Sequence, residues 1–261
     1  MISERLTANL LPAQRNLFTQ FGNMPTVTVT NMKKQNEKEG NSSRQLNNRG
    51  SLPCILNFNT YKTEASDLEK EMGSKGILSI MPYYGPWSWM NDQAIKYVDL
   101  VVETVCKRDN VDIGKVKVVY LGGSMGGLSA MVYTRYARVT PNACFVFCPV
   151  CDLKYHAHER PDLPRTVYIA FSNGECDIEE NIERHSPFHL AEEMPDIPYV
   201  IMHGTTDQSV NKQIHSDRLV EKLRSLGRNV EYIEVEGAGH CTFRGYPERD
   251  KFYSKLIDTF N

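Results

Sequence analysis

Apolar and polar positions change rhythm near residue 52. Ahead of that point, residues 24–30 (Met-Pro-Thr-Val-Thr-Val-Thr) alternate as an edge strand does, with Pro25 at the entrance, where a missing N–H does no harm. Residues 31–50 are polar and rich in Asn, Lys, Gln and Ser. They read as a solvated hairpin connection or flexible loop, with Lys33 and Lys34 as surface charge. Residues 1–51 are thus expected to supply strand and polar loop that pack on a main domain spanning 52–261.

Within 52–261, short apolar runs alternate with amphipathic segments, the signature of a mostly parallel sheet with helices on both faces and an α/β fold class. Strands are predicted at 53–58, 76–81, 115–121, 143–148, 198–203 and 230–235. One helix is predicted over 64–72, closed by Gly73. Another, capped by Asn91 or Asp92, puts Ile95, Val98, Val102 and Val105 on one face. A third passes through Leu219, Leu223 and Leu226 to Gly227, and a closing helix from Pro247 turns Phe252, Tyr253, Leu256 and Phe260 inward. Residues 149–195 break the rhythm. They follow a strand's C-terminal end, where a short lid over a site is commonly inserted.

The corner between the 115–121 strand and the next helix carries the chemistry. It reads Gly122-Gly123-Ser124-Met125-Gly126-Gly127, with Val118-Val119-Tyr120-Leu121 before it and Leu128-Ser129-Ala130 after it. A serine at such a corner takes a strained backbone that lifts its hydroxyl above the sheet edge. The strain is tolerable when Gly122 and Gly126 carry no side chain to collide. The Met125 amide, opening the helix, then points to where an oxyanion would form.

A serine hydroxyl needs a base, and the base needs a carboxylate to orient it. Two later loops offer them: Gly204-Thr205-Thr206-Asp207 after one strand and Glu236-Gly237-Ala238-Gly239-His240 after another. All three residues lie just past C-terminal strand ends, where open α/β sheets assemble their sites. Rival readings stand beside these. Asp207 could cap the following helix, and Asp152 is a reserve carboxylate that could equally serve its own loop. His203, closing a buried strand, reads as structural.

These pieces, together with Ser186-Pro187-Phe188, resemble the α/β-hydrolase superfamily, in its prolyl-oligopeptidase-like and esterase branch, from about residue 52 to the end. The resemblance implies an α/β-hydrolase fold with Ser124 as nucleophile, His240 as general base and acid, and Asp207 as the orienting carboxylate. It also implies an oxyanion hole made by the Met125 amide and a second amide after the 53–58 strand. Many relatives carry His-Gly-Gly there, whereas this chain has Asn59-Thr60-Tyr61, so Tyr61 or Thr60 is the candidate donor. The loop Tyr83, Tyr84, Trp87, Trp89 either walls an acyl or alcohol pocket or simply packs; Tyr84, Trp87 and Trp89 are the substrate-binding candidates.

Charge and cysteine content narrow the class further. The formal charge is −2, from 30 basic and 32 acidic residues, which does not suggest a nucleic-acid partner. No apolar run is long enough to span a bilayer and the N-terminus lacks a secretory signal pattern, so no membrane span is expected. Seven cysteines, several inside apolar runs, fit a reducing, cytoplasmic setting. Cys148-Pro149-Val150-Cys151 has redox spacing but does not open a thioredoxin-type unit, and His156 and His158 beside it fit no standard zinc spacing. No cofactor and no metal are implied, and a homo-oligomer is compatible with the sequence.

The function expected is hydrolysis of carboxylic esters with small acyl or aryl groups through a Ser124 acyl-enzyme. The alternatives are a serine peptidase or aminopeptidase of prolyl-oligopeptidase type, a thioesterase or carbon–carbon hydrolase, and a non-catalytic member that binds a small ligand. The ester reading rests on the lack of room for the N-terminal propeller that such peptidases usually add.

Overall fold

The computed structural model describes residues 27–30, 53–59, 66–85, 87–172 and 176–261. In chain order its elements are β1 (Val27–Thr30), β2 (Cys54–Asn57), α1 (Asp67–Ser74), β3 (Leu78–Pro82), α2 (Asp92–Asp109), β4 (Val118–Gly123), α3 (Met125–Tyr136) and β5 (Ala143–Phe147). Four helices then precede the next strand: α4 (Leu153–Glu159), α5 (Pro164–Phe171), α6 (Ile178–Glu183) and α7 (Pro187–Leu190). Last come β6 (Tyr199–Gly204), a π-helical turn (Gln213–Asp217), α8 (Arg218–Ser225), β7 (Val230–Val235) and α9 (Pro247–Asp258).

The strands form one sheet in the order β1-β3-β2-β4-β5-β6-β7. Six are parallel. β1 is the antiparallel edge, with Val27 opposite Pro82 and Thr30 opposite Ser79, as the alternation at 24–30 predicts for its described part. Period-2 alternation sends each central strand's side chains into two cores. Val118 and Tyr120 of β4, Cys144 and Val146 of β5, and Tyr199 and Ile201 of β6 face one core with α2, α3 and α8. Val119 and Leu121, Ala143 and Phe145, and Val200 and Met202 face the other, closed by Met72 of α1 and by Phe252 and Leu256 of α9. Burial on both faces explains why these strands read as continuous apolar runs. It also leaves the C-terminal sheet edge as the surface open to chemistry.

Both ends of α1 and the end of α8 differ from the periodic reading, and several strands are shorter or shifted, β3 running Leu78–Pro82 and β4 Val118–Gly123. Helix α1 starts at Asp67 because Ser66 and Glu69 form a reciprocal capping box: Ser66 Oγ accepts from the Glu69 N–H at 3.3 Å and Glu69 Oε2 accepts from the Ser66 N–H at 2.8 Å. Its last turn runs through Gly73, and the left-handed turn falls at Gly76 (φ 78°). Leu226 lies beyond α8 and is exposed rather than on its inner face, while the chain turns at Gly227 (φ 74°) as expected. Asn91, rather than Asp92, caps α2, its side chain accepting from the Ala94 N–H at 3.0 Å. No helix among the described residues is long and apolar enough to cross a membrane.

Candidate active site

At the end of β4 the chain turns through Ser124 with φ 55° and ψ −124°, a conformation sterically costly for any residue with a Cβ. Backbone bonds hold it there. Its N–H donates to Phe147 O at 3.0 Å, and its C=O accepts from the N–H groups of Gly127 at 3.0 Å, Leu128 at 3.2 Å and Val150 at 3.2 Å. The flanking glycines are a matter of contact distance: a Cβ on Gly122 would lie 2.1 Å from Gly126 O, and one on Gly126 would lie 2.3 Å from Phe58 O. Gly122→Ala is therefore expected to destabilise the fold by about 3 kcal/mol or more, since both colliding partners are backbone. In thermal unfolding that corresponds to a midpoint lowered by roughly 6 to 12 °C; an unchanged midpoint would contradict this account of the corner.

The loops after β6 and β7 meet over this corner. They approach so closely that a Cβ on Gly204 would lie 2.3 Å from Ala238 O, and the Thr206 N–H donates to the same carbonyl at 3.0 Å. That packing brings Asp207 beside His240, whose Nδ1 lies 2.7 Å from Asp207 Oδ2 and whose Nε2 lies 2.9 Å from Ser124 Oγ. Asp207's side chain is wholly buried and fully bonded. Oδ1 accepts from the N–H groups of Ser209 at 2.8 Å and Val210 at 3.0 Å, while Oδ2 also meets His203 Nε2 at 3.1 Å. Asp207 thus both caps its own loop and holds the imidazole.

The electrostatics follow from these bonds. Burial penalises the Asp207 charge, but His203, His240 and the two loop N–H groups outweigh it and hold the carboxyl well below the usual range. Burial likewise works against a charged His240, yet the bond to Asp207 and the contact with Cys148 prevail, and its pKa is pushed up to about 9. A carboxylate orients Nδ1–H and leaves the Nε2 lone pair facing a hydroxyl, so a proton can pass from Ser124 to His240 as the oxygen attacks. The Met125 N–H, in the first turn of α3, has no intrahelical acceptor.

His203 has a part in this geometry that its sequence context left merely structural. Its Nε2 faces two acceptors, Asp207 Oδ2 and Val210 O at 3.2 Å, so that nitrogen carries a proton, while Nδ1 meets Ser216 Oγ at 2.6 Å. The i,i+4 spacing of His203 and Asp207 off a strand end was the available signal. Asn57 and Asn59 take part without any sign in the sequence: Asn59 Oδ1 accepts from the Gly123 N–H at 2.8 Å, and Asn57 Oδ1 accepts from Asn59 Nδ2 at 2.6 Å, tying the β2 loop to the serine corner. Thr60 and Tyr61 lie outside the described residues.

A cavity of about 480 Å³ opens beside Ser124, and Tyr84, Trp87 and Trp89 all line it. Tyr84 and Trp89 are buried and anchored, the phenol donating to Phe58 O at 2.9 Å and the indole N–H to Thr166 Oγ1 at 3.2 Å, whereas Trp87 is 52% exposed. Val150, His156, Arg160 and Leu163, from the segment between β5 and β6, form the facing wall. Glu159 fixes that wall by bonding His156 Nδ1 at 2.6 Å and His215 Nε2 at 3.1 Å.

The other candidates lie elsewhere. Asp152 caps α4 through the Tyr155 N–H at 3.0 Å and meets Arg218 at 3.2 Å. His158 sits on α4 and bonds Lys154 O at 3.1 Å, and Cys148 and Cys151 are not joined to each other.

Comparison with known proteins agrees with this architecture. The model of the prolyl oligopeptidase family matches residues 92–258. No curated protein matches the sequence. Among solved structures, an acylaminoacyl peptidase of Pyrococcus horikoshii superposes with a TM-score of 0.66 at 13% identity, over 81% of this chain and 37% of its own. The chain thus spans well under half of that peptidase. A thermophilic esterase of Thermogutta terrifontis, with propionate bound, superposes with a TM-score of 0.57 at 16% identity, over 89% of this chain and 87% of its own. A puromycin-hydrolysing peptidase of Mycobacterium tuberculosis gives 0.60 at 17% identity, over 79% and 33%. With the family model covering more than half of the chain, and the sheet order and serine corner as described, the protein belongs to the prolyl oligopeptidase family and has the α/β-hydrolase fold.

Proposed function

We propose that the protein hydrolyses carboxylic esters with small acyl or aryl groups through an acyl-enzyme on Ser124. Ser124 Oγ attacks the ester carbonyl as His240 Nε2 takes its proton, and Asp207 stabilises the imidazolium that results. The oxyanion is received by the Met125 N–H and by a second amide at Thr60 or Tyr61. Collapse expels the alcohol, which takes its proton from His240. Water activated by the same imidazole then releases the acid. The segment over 149–195 serves as a lid whose inner wall touches the substrate.

The observation that carries the choice of esters is the lining of the cavity beside Ser124. Its described walls are mostly aromatic and aliphatic, with Asn59 and the Tyr83 and Tyr84 phenols as neutral polar groups, His156 and Arg160 as the basic side chains, and no carboxylate among them. An uncharged acyl or aryl group suits such a wall, whereas the ammonium of a peptide amino terminus would be desolvated there without a counter-ion. The esterase of known structure that this chain spans nearly end to end adds support. Thiols inside the apolar core favour a cytoplasmic setting.

The test is turnover of p-nitrophenyl acetate and butyrate by the purified protein, with acyl and aminoacyl p-nitroanilides in parallel. Turnover of the esters, with anilides far slower, is the expected result. Anilides cleaved with comparable kcat/KM would replace this reading with the peptidase one.

A further inference from the structure

Two thiols stand against the imidazole that the proposed mechanism uses as its base. Cys148 follows β5 and Cys241 follows His240, each held with positive φ, 43° and 54°. The Cys241 N–H donates to Cys148 Sγ at 3.4 Å, and Cys241 Sγ lies 3.7 Å from His240 Nε2. One ligand atom from each of Cys148, His240 and Cys241 lies within 4.8 Å of the other two. A tetrahedral zinc site needs its sulfur and nitrogen ligands about 3.5 to 3.8 Å apart, by the metal–ligand distances of such sites, so a small closing movement would complete three corners. Ser124 Oγ, 2.9 Å from His240 Nε2, is adjacent to the fourth.

The imidazole is already oriented as a ligand. Its Nδ1–H is donated to the buried Asp207 carboxylate at 2.7 Å, which presents the Nε2 lone pair outward and reproduces the carboxylate–histidine–metal arrangement of metalloprotein sites. Cys148 is fully buried and Cys241 half-buried, so the pocket offers soft ligands on a wall that solvent reaches from one side.

We propose that Cys148, Cys241 and His240 form a binding site for a thiophilic divalent cation, Zn²⁺ or Cd²⁺, and that filling it shuts off hydrolysis. Each thiol releases its proton to solvent on ligation, and no electron is transferred. A lone pair committed to the metal cannot accept the Ser124 proton. The inhibition rests on the Ser124–His240 reading, while the binding does not.

Two measurements separate these. In a phosphine-reduced, thiol-free buffer, Cd²⁺ is titrated into the wild type and into Ser124→Ala while the ultraviolet sulfur-to-metal charge-transfer band is followed. In parallel, ester turnover is measured against Zn²⁺ and then with EDTA. The expected result is a band saturating at one equivalent in both proteins, together with turnover lost to Zn²⁺ and restored by EDTA. In Cys148→Ser and Cys241→Ser the half-inhibiting Zn²⁺ concentration, judged against each variant's own metal-free rate, should rise at least about tenfold. Cys176→Ser, remote from the cluster, should leave it unchanged.

Absence of a stoichiometric band from the wild type would overturn the proposal, and needs no cysteine variant to fold. So would half-inhibition unmoved in both Cys148→Ser and Cys241→Ser, or inhibition that a reductant relieves and a chelator does not, which would mark a disulfide instead. A protein inert toward esters that still gives the band would sink the hydrolytic reading and leave the metal site standing.

Discussion

Ser124→Ala is expected to lower kcat for p-nitrophenyl esters by about 10⁴- to 10⁶-fold, the range seen when an acyl-transfer nucleophile is removed. That corresponds to roughly 5 to 8 kcal/mol of barrier. The fold should survive. The backbone bonds that clamp position 124, to Phe147, Gly127, Leu128 and Val150, do not involve the hydroxyl. The side-chain bond lost is the one to His240, whose ring is 26% exposed and can turn to water, so the stability change should be about 1 kcal/mol. Steady-state kinetics beside circular dichroism and thermal unfolding would check both halves. A folded variant retaining more than about a hundredth of the wild-type rate would mean that the serine does not carry the acyl group. Loss of labelling by a fluorophosphonate in the same variant would tie the reactivity to this hydroxyl.

Much of this site is legible in the sequence, because its parts are governed by local sterics and by strand ends. Glycine at 122 is required by its contact with Gly126 within the turn itself, so that half of the motif announces its own geometry, whereas Gly126 is required by the approach of Phe58 at the end of β2. Val230–Val235 was readable to the residue because its ends are set by Gly227 and Gly237 on either side. What escaped depends on groups that meet only after folding. The i,i+4 spacing hints that His203 reaches Asp207, but nothing local reveals that a histidine from another loop will share that carboxylate. Asn59 likewise gives no local hint that it will hold the Gly123 N–H, 64 positions away. The cysteines make the same point: Cys148 has redox spacing to Cys151, yet its partner in space is Cys241, 93 positions later. The start of helix α1 is hard to read for a different reason. A periodic apolar pattern does not mark its first residue; the Ser66–Glu69 capping box does.

Asp207→Asn should lower kcat by about 10⁴-fold, because neither orientation of the amide can replace the carboxylate. If the amide NH₂ takes the place of Oδ2, it confronts the N–H of His203 and forces His240 to turn its proton onto Nε2, where it faces Ser124 as a donor and can no longer act as a base. If the amide is flipped, the NH₂ meets the N–H groups of Ser209 and Val210, leaving buried donors without acceptors and loosening the loop. The pH profile separates loss of the base from a general loss of structure. The wild-type base works when neutral, and its pKa is raised from 6.5 toward 9, so activity should climb as pH rises through that interval and fall as pH drops below it. Without the Asp207 charge, burial governs the imidazole. The acidic limb should then move to lower pH while the plateau stays depressed. Profiles of kcat/KM over roughly pH 5 to 10, corrected for spontaneous ester hydrolysis, would show both features. A wild-type limb no higher than an unperturbed imidazole's value of about 6.5 would break the electrostatic part of the account. An Asn variant within tenfold of the wild type would break the catalytic part, leaving Asp207 as a loop cap alone.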